Sequence, residues 1–513
     1  MTEQAQQRVI IVGGGTAGWL TAGRLAATLP KHIKVTLIES PSIPTVGVGE
    51  GTWPTMRSTL IALGISETEF IRECDATFKQ GAKFCQWQKN SPDDFYYHPL
   101  MLPQGFTKGD LSSYWQLHMR GDVSFSNAVC FQEQLCEQGL APKSIRTPEF
   151  NGLANYAYHL DAGKFAQLLQ KHCTQKLGVE HIYADVIEIE NHTNGNIAAV
   201  LTEQAGRQAA DMFVDCTGFA SKLLGEHYGI GFNDCSDILF IDQALAVQLP
   251  YEQEQAPIAT HTISTAQAAG WVWDIGLRHR RGVGYVYSSQ HQGQEEALST
   301  LAGYVGATNA DELNIRSIPI KSGYREKFWH KNCVAIGLSA GFLEPLEASA
   351  LVLVELSAQM LAEQFPHAPD MLPICEKRFN DTFHYRWQRI IDFLKLHYCL
   401  SERTDNAFWR DNCDPSTIPE SLQELLTLWK YRAPNDSDFT SNNEVFPAAS
   451  YQYVLYGMGF SADQAFLKQQ GINQAFAQQQ IAANSQMIEK AVASMPSHRE
   501  LIEKINKFGL SAI

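Results

Sequence analysis

Arg8-Val-Ile-Ile-Val-Gly-Gly-Gly-Thr-Ala-Gly18 is the stretch on which the fold turns. Its first five residues are an apolar, β-branched run that stops at glycines, as a buried parallel strand does. Residues 16–29 then alternate small and apolar side chains at helical spacing and end at Pro30. Residues 34–39 form a second strand that closes on Glu39, completing a β-α-β unit. Gly13, Gly15 and Gly18 make a GxGxxG run. The first permits the tight turn, the second lets a pyrophosphate approach the backbone, and the third lets helix and strand pack closely. With Gly14, Thr16 and Ala17 they place phosphate at a helix N-terminus, where amides and dipole favour negative charge. Glu39 follows at the distance expected of the acid that accepts ribose hydroxyls. The spacing therefore predicts a doubly wound α/β dinucleotide-binding fold. Two later strand–turn segments, residues 211–218 and 334–341, favour FAD over NAD, because FAD is long enough to touch several distant parts of the chain.

Composition narrows the classes of function. A chain of 513 residues, 44% hydrophobic and 19% charged, is globular and large enough for more than one lobe. Its net charge of −15 argues against nucleic acid, which demands a basic face. The polar N-terminus leads directly towards the first strand, so no secretory signal is expected, and no run reaches the ~18 apolar residues of a membrane span. The cytoplasm is the expected compartment. Eleven cysteines without a CxxC pair read as reduced, mostly buried thiols, with no metal site.

Along the chain, a capping box at Ser66 and Glu69 predicts a helix over residues 66–80, stopped by Gly81. Residues 270–289 read as a β-hairpin around 279–282, and residues 332–337 as a strand that leads into an apolar helix over 348–365. Beyond about residue 395 helical patterns dominate, over 422–431, 472–495 and after a second capping box at Ser497 and Glu500. Residues 435–443 read as a loop. The expected division is an FAD module with an inserted substrate sheet over 1–395 and a helical lobe over 396–513.

A set of ordered strings carries a resemblance: GGGTAGW from Gly13, GVGEGTWP from Gly47, TFKQGAKF from Thr77, YHLDAGKF from Tyr158, DCTGF from Asp215, GWVWDI from Gly270 and FLEPLEAS from Phe342. Together they resemble the flavin-dependent tryptophan halogenase family over most of the chain, most strongly over residues 8–390. The resemblance implies a monooxygenase-like FAD module, used as FADH2 supplied by a separate NAD(P)H-dependent flavin reductase. Reduced flavin and oxygen then convert chloride or bromide to hypohalous acid, which is aimed at an electron-rich ring such as indole or tryptophan. It leaves room for a homodimer.

By position in these strings, Lys79 matches the family's catalytic lysine and Glu347 its second catalytic residue. The chemistry asks for an amine that captures a small oxidant, and for a carboxylate that orients it and takes the ring proton. A surface lysine in the last turn of a helix would also explain Lys79, and Lys83 competes for the role. Glu347 could equally sit in the first turn of the following helix. Ser349 and Ala350 fall at the family's halide site, where Thr-Gly is usual, and the extra methyl of Ala350 bears on halide preference. Glu50, Val186, Leu338 and Leu351 match flavin contacts, although the three apolar ones would serve a core as well. The family's Trp-x-Trp-x-Ile-Pro run is here Trp271, Trp273, Ile275 and then Gly276. Alternate strand residues share a face, so the first three make an apolar screen between flavin and substrate, or simply fill a sheet core. Gly276 is expected to loosen the strand end. The aromatic run 95–99 aligns with a substrate-side segment, and His98 has no assigned role. Tyr451, Tyr453 and Tyr456 bring aromatics to the C-terminal lobe without a recognisable pattern for a substrate's amino and carboxylate groups. Free tryptophan, indole, a peptide residue and a carrier-bound ring all remain open. A flavin-dependent aromatic hydroxylase is the alternative enzyme, and a non-catalytic flavin sensor the alternative of another class.

Overall fold

The computed structural model describes residues 7–43, 49–441, 443–469 and 471–512. The start of the N-terminal stretch and Gly47 of the GVGEGTWP string lie outside them. The chain alternates between two compact units: Met1–Asp75, Leu160–Cys235 and Lys321–Trp387 form one, and Ala76–His159, Ser236–Ile320 and Gln388–Ile513 the other.

In the first unit Gln7–Val12 is the inner strand of a six-stranded sheet, parallel to Ile33–Glu39 on one side and Met212–Asp215 on the other. Both of its edges are bonded and Val9, Ile10 and Ile11 are wholly buried, which explains the continuous apolar run. Cys333–Ala335 adds a further parallel strand beside Met212–Asp215. Helix Thr16–Thr28 packs against helices Ala162–Gln175 and Ser349–Glu363.

Helix Ser349–Glu363 brings a carboxylate, Glu355, into this core at 4% exposure. Thr55 and Thr59, on helix Thr55–Leu63, donate to it at 3.2 and 2.5 Å. Burial pushes its carboxyl up to about 7, against the pull of those hydroxyls and of Arg24.

The second unit is built on a seven-stranded sheet in which hairpin Gly270–Gly276/Arg280–Tyr287 is flanked by Gln243–Pro250 and Thr262–Gln267, and Gly81–Cys85 and Phe95–Pro99 close one edge. One face, with Leu245, Val247, Val272, Val283 and Tyr285, is covered by Ala297 and Leu301 of helix Gln294–Val305. The other carries Trp271, Trp273, Phe84 and Tyr96. Past Cys399 the described residues form helices and turns, including Glu420–Trp429, Gln474–Ser494 and His498–Phe508, with one isolated bridge from Ser497 to Leu140, and a single 3-10 turn, Asp436–Asp438, interrupts the expected loop.

One element departs from expectation. Ser66 does cap a helix, accepting from the Glu69 amide at 3.0 Å, but that helix ends at Glu73. Asp75 turns the chain with φ 48°, and Thr77–Lys79 is a strand antiparallel to the chain at 157–159. Gly81 is no helix stop. It begins the next strand, where a Cβ would lie 2.6 Å from the His98 carbonyl oxygen.

The Glu355 shift sets a direction for stability. A carboxyl whose pKa is higher folded than unfolded holds its proton more tightly in the native state, so stability falls as pH rises from about 4.5 through about 7. Glu355→Gln removes that loss, by up to roughly 3 kcal/mol at pH 8. Thermal unfolding from pH 5 to 8 should show a flatter decline for the variant; parallel curves would exclude Glu355 as its source.

Candidate functional site

The glycine turn of the first unit is shaped by contact. Gly13 has φ 122°, and a Cβ on it would lie 2.1 Å from the Cys216 carbonyl oxygen. A Cβ on Gly18 would lie 1.9 Å from the Gly13 oxygen. Gly15 differs, because nothing stands within 4 Å of where its Cβ would be. It is the N-cap of Thr16–Thr28 with no side-chain cap, so the first-turn amides from Thr16 onward lie beside a space that glycine leaves open, ahead of the first helical bond from Trp19 to Gly15. That cradle fits a dinucleotide phosphate.

Around it, Glu39 lies over Gly14 and takes a hydrogen bond from His181 Nε2 at 2.9 Å, so its carboxylate is already oriented. Glu50, on Gly49–Gly51, has its carboxyl pushed up to about 7 by burial and then by Asp161. Leu338 and Val186 are half-buried and Leu351 is buried. Gly337, with φ 77°, approaches the helix so closely that a Cβ would sit 2.7 Å from Ala17 Cβ, bringing the 334–341 turn onto the glycine motif. Buried Asp215 is spent on structure: it accepts from the amides of Thr217, Leu223 and Leu224 and from the Thr217 and Ser221 hydroxyls.

Glu347 is not in the first turn of a helix. It and Ala348 are consecutive left-handed residues (φ 61° and 56°) ahead of Ser349–Glu363. Two non-glycine residues in that region cost energy that surrounding contacts must offset. One contact is Trp53, whose Nε1–H donates to the Glu347 carbonyl at 2.8 Å. Sequence reading quoted Trp53 within GVGEGTWP but gave it no role, because nothing in its spacing links an indole there to Glu347. Helix Ser349–Glu363 has no side-chain N-cap, so its first-turn amides remain a fitting anion site. Ala350 is exposed, so its methyl meets no tight packing there.

In the second unit Lys79 lies on strand Thr77–Lys79 at 3% exposure. The reading of Lys79 as a surface lysine at a helix end therefore fails. Thr77 Oγ1 donates to the Gly276 carbonyl at 2.6 Å and the Gln80 amide to Thr260 at 2.6 Å, so the strand is held at both ends. His159, opposite Thr77, is kept well below the usual imidazole range by burial and by the Lys79 charge. Lys83 is committed elsewhere, paired with Glu137 at 2.5 Å and lying over the Phe95 ring.

Trp271, Trp273 and Ile275 share one face of a fully buried strand. Trp271 sits 6.0 Å from the Trp87 ring, and Trp273 lies on Gly284, where a Cβ would come within 2.0 Å of the indole. Core packing thus accounts for much of this face. Gly276 does not loosen the strand: a Cβ there would meet Ile258 Cγ2 at 2.9 Å and the Tyr251 hydroxyl at 3.1 Å. His98 bonds Ser450 Oγ at 2.9 Å, and Tyr451, Tyr453 and Tyr456 give their hydroxyls to Arg389, Met101 and Ser112, so these groups bind structure. No group of three metal-ligating side chains and no helix long and apolar enough to cross a membrane occurs among the described residues, and the eleven thiols are buried or half-buried.

Trp53→Phe keeps an aromatic ring but is smaller than the indole and removes its hydrogen bond to the Glu347 carbonyl, next to two left-handed residues. The expected cost is about 1–3 kcal/mol, read as a lower Tm for the variant; an unchanged Tm would show that other contacts hold Glu347.

The family model for tryptophan halogenases matches residues 8–471. The structure of a tryptophan halogenase from Shewanella frigidimarina is 47% identical, with full coverage of both chains and a TM-score of 0.96. The tryptophan 6-halogenase SttH of Streptomyces toxytricini is 34% identical over 90% of each chain. The 7-chloro-L-tryptophan 6-halogenase KtzR of a Kutzneria strain is 32% identical over 97% of this chain and 99% of its own. This chain belongs to the tryptophan halogenase family and is a flavin-dependent halogenase, not a hydroxylase.

Proposed function

We propose that the chain chlorinates or brominates the ring of free tryptophan, with Lys79 and Glu347 directing hypohalous acid. The reading of the substrate is supported by the relatives named for tryptophan and its 7-chloro derivative. The observation that carries the site is Lys79, a lysine at 3% exposure on a strand tied at both ends.

FADH2 held by Gly13–Gly18, Glu39, Glu50, Val186, Leu338 and Leu351 would supply the two electrons by which O2, halide and a proton become hypohalous acid and water. The amides of Ser349 and Ala350 hold the halide. The Lys79 ammonium donates to the hypohalous oxygen, which makes the halogen more electrophilic. The ring carbon bonds the halogen as the O–X bond breaks, and hydroxide leaves as water with the help of the lysine proton. The Glu347 carboxylate takes the ring proton and aromaticity returns. The buried face of Trp271, Trp273 and Ile275 keeps bulky rings from the flavin side. Only one glycine fingerprint for a dinucleotide is present, which supports a separate NAD(P)H-dependent reductase as the source of FADH2.

Protein, FAD, a flavin reductase, NADH and bromide incubated with tryptophan should give bromotryptophan by mass spectrometry. Lys79→Ala should lower its rate by about 10²–10⁴-fold while hypobromous acid is still trapped. Glu347→Gln should cost about 10²-fold. A Lys79→Ala variant that halogenates at the parent rate would overturn the assignment.

A further inference from the structure

We infer that His498 is a positioning residue for Lys79, its imidazole joining the strand that carries the lysine to the segment that grips that strand's other end. This rests on the reading of Lys79 given above. His498 lies past residue 471, where the family match ends, and the sequence marks it only as the residue after a helix cap at Ser497.

Strand Thr77–Lys79 pairs on one side with the chain at 157–159. No strand among the described residues pairs with its other side, and there the Phe78 amide donates to His498 Nε2 at 3.0 Å. His498 Nδ1 lies 3.2 Å from the Ile258 carbonyl oxygen. A backbone N–H can only donate and a carbonyl only accept, so these partners select the neutral tautomer with its proton on Nδ1. Two residues beyond Ile258, the Thr260 carbonyl accepts from the Gln80 amide at 2.6 Å. The residues on either side of Lys79 are thereby fastened to one short segment, Phe78 through the imidazole and Gln80 directly.

The ring is itself fixed. It begins helix His498–Phe508, whose N-cap Ser497 accepts from the Glu500 amide at 3.3 Å. The His498 amide donates to the Gly139 carbonyl at 2.9 Å, and the Ala141 amide to Pro496 at 2.9 Å. At 1% exposure, burial pushes the imidazole down to about 4, so it stays neutral as both bonds require. An aliphatic or phenyl side chain would fill the space and leave the Phe78 amide and Ile258 carbonyl unpaired, freeing the strand edge to shift. A displacement of about 1 Å at a catalytic group is enough to misdirect a reaction.

The test compares wild type with Lys79→Ala, His498→Phe and His498→Gln, each given FAD, reductase, NADH, bromide and tryptophan. The reading is bromotryptophan formed per hypobromous acid trapped by a diketone scavenger, with Tm recorded in parallel. His498→Phe should lower that ratio about tenfold. His498→Gln, whose amide can accept from Phe78 and donate to Ile258, should recover it to within about threefold. Overall loss of fold would lower Tm and product together and would not respond to glutamine in this way. If His498→Phe does not fold, His498→Met makes the same comparison. An unchanged ratio in the phenylalanine or methionine variant, or a glutamine variant as poor as either, overturns the inference. Wild-type product from Lys79→Ala would instead overturn the reading of Lys79, and is seen in that variant alone.

Discussion

The flavin unit depends on a contact with no room for a side chain, the approach of Gly13 to the Cys216 carbonyl. Strand Gln7–Val12 pairs with chain arriving on both sides, Ile33–Glu39 and Met212–Asp215, and both pairings run up to the residues where the glycine turn starts. The Gly13 amide bonds Ile38 at 2.8 Å and the Cys216 amide bonds Val12 at 2.8 Å. Any Cβ at Gly13 would collide with Cys216 and move the turn off the sheet. The orientation of helix Thr16–Thr28, and with it the open cradle at Gly15, follows from that fit. So does the placing of Gly337 against Ala17, since the Ile336 amide bonds Asp215 at 3.0 Å.

This part of the fold was legible in the sequence because its determinants are local and periodic. Glycines at fixed offsets, a continuous apolar strand and an acid at the end of the next strand each carry a short-range signal. The caps at Ser66 and Ser497 were read correctly for the same reason. What failed was the end of the first capped helix. Nothing marks a stop at Cys74: there is no glycine or proline until Gly81, and Asp75 takes the left-handed turn that a glycine would have advertised. Thr77–Lys79 becomes a strand because residues 157–159 lie beside it, and tertiary pairing of that kind overrides local preference.

The geometry of Glu347 was illegible for a related reason. Glutamate and alanine have ordinary helical preferences, and the run into Ser349 looks like a smooth helix start. Two left-handed residues there are sustained by contacts from elsewhere, among them an indole 294 positions away in the chain. Local propensity and global structure disagree at this point, and such disagreement is concentrated where a side chain must be aimed instead of packed.

Lys79 and Lys83 make the same argument in its sharpest form. Four residues apart, they would fall on one face of a continuous strand. The chain divides them by changing partners between Lys79 and Gly81. Lys79 belongs to the short ladder with residues 157–159, whereas Lys83 pairs within the seven-stranded sheet, opposite Ile263 and Tyr97. The change is permitted at Gly81, which sits so close to His98 that a side chain would not fit. On the large sheet Lys83 finds Glu137 and the rings of Phe95 and Tyr97, an ion pair with aromatic cover that satisfies its charge. Lys79 is buried near His159, on a strand whose outer amides are taken by His498 and Thr260. Identity and spacing made the two lysines rivals, and the switch of strand partners gives them different chemistry.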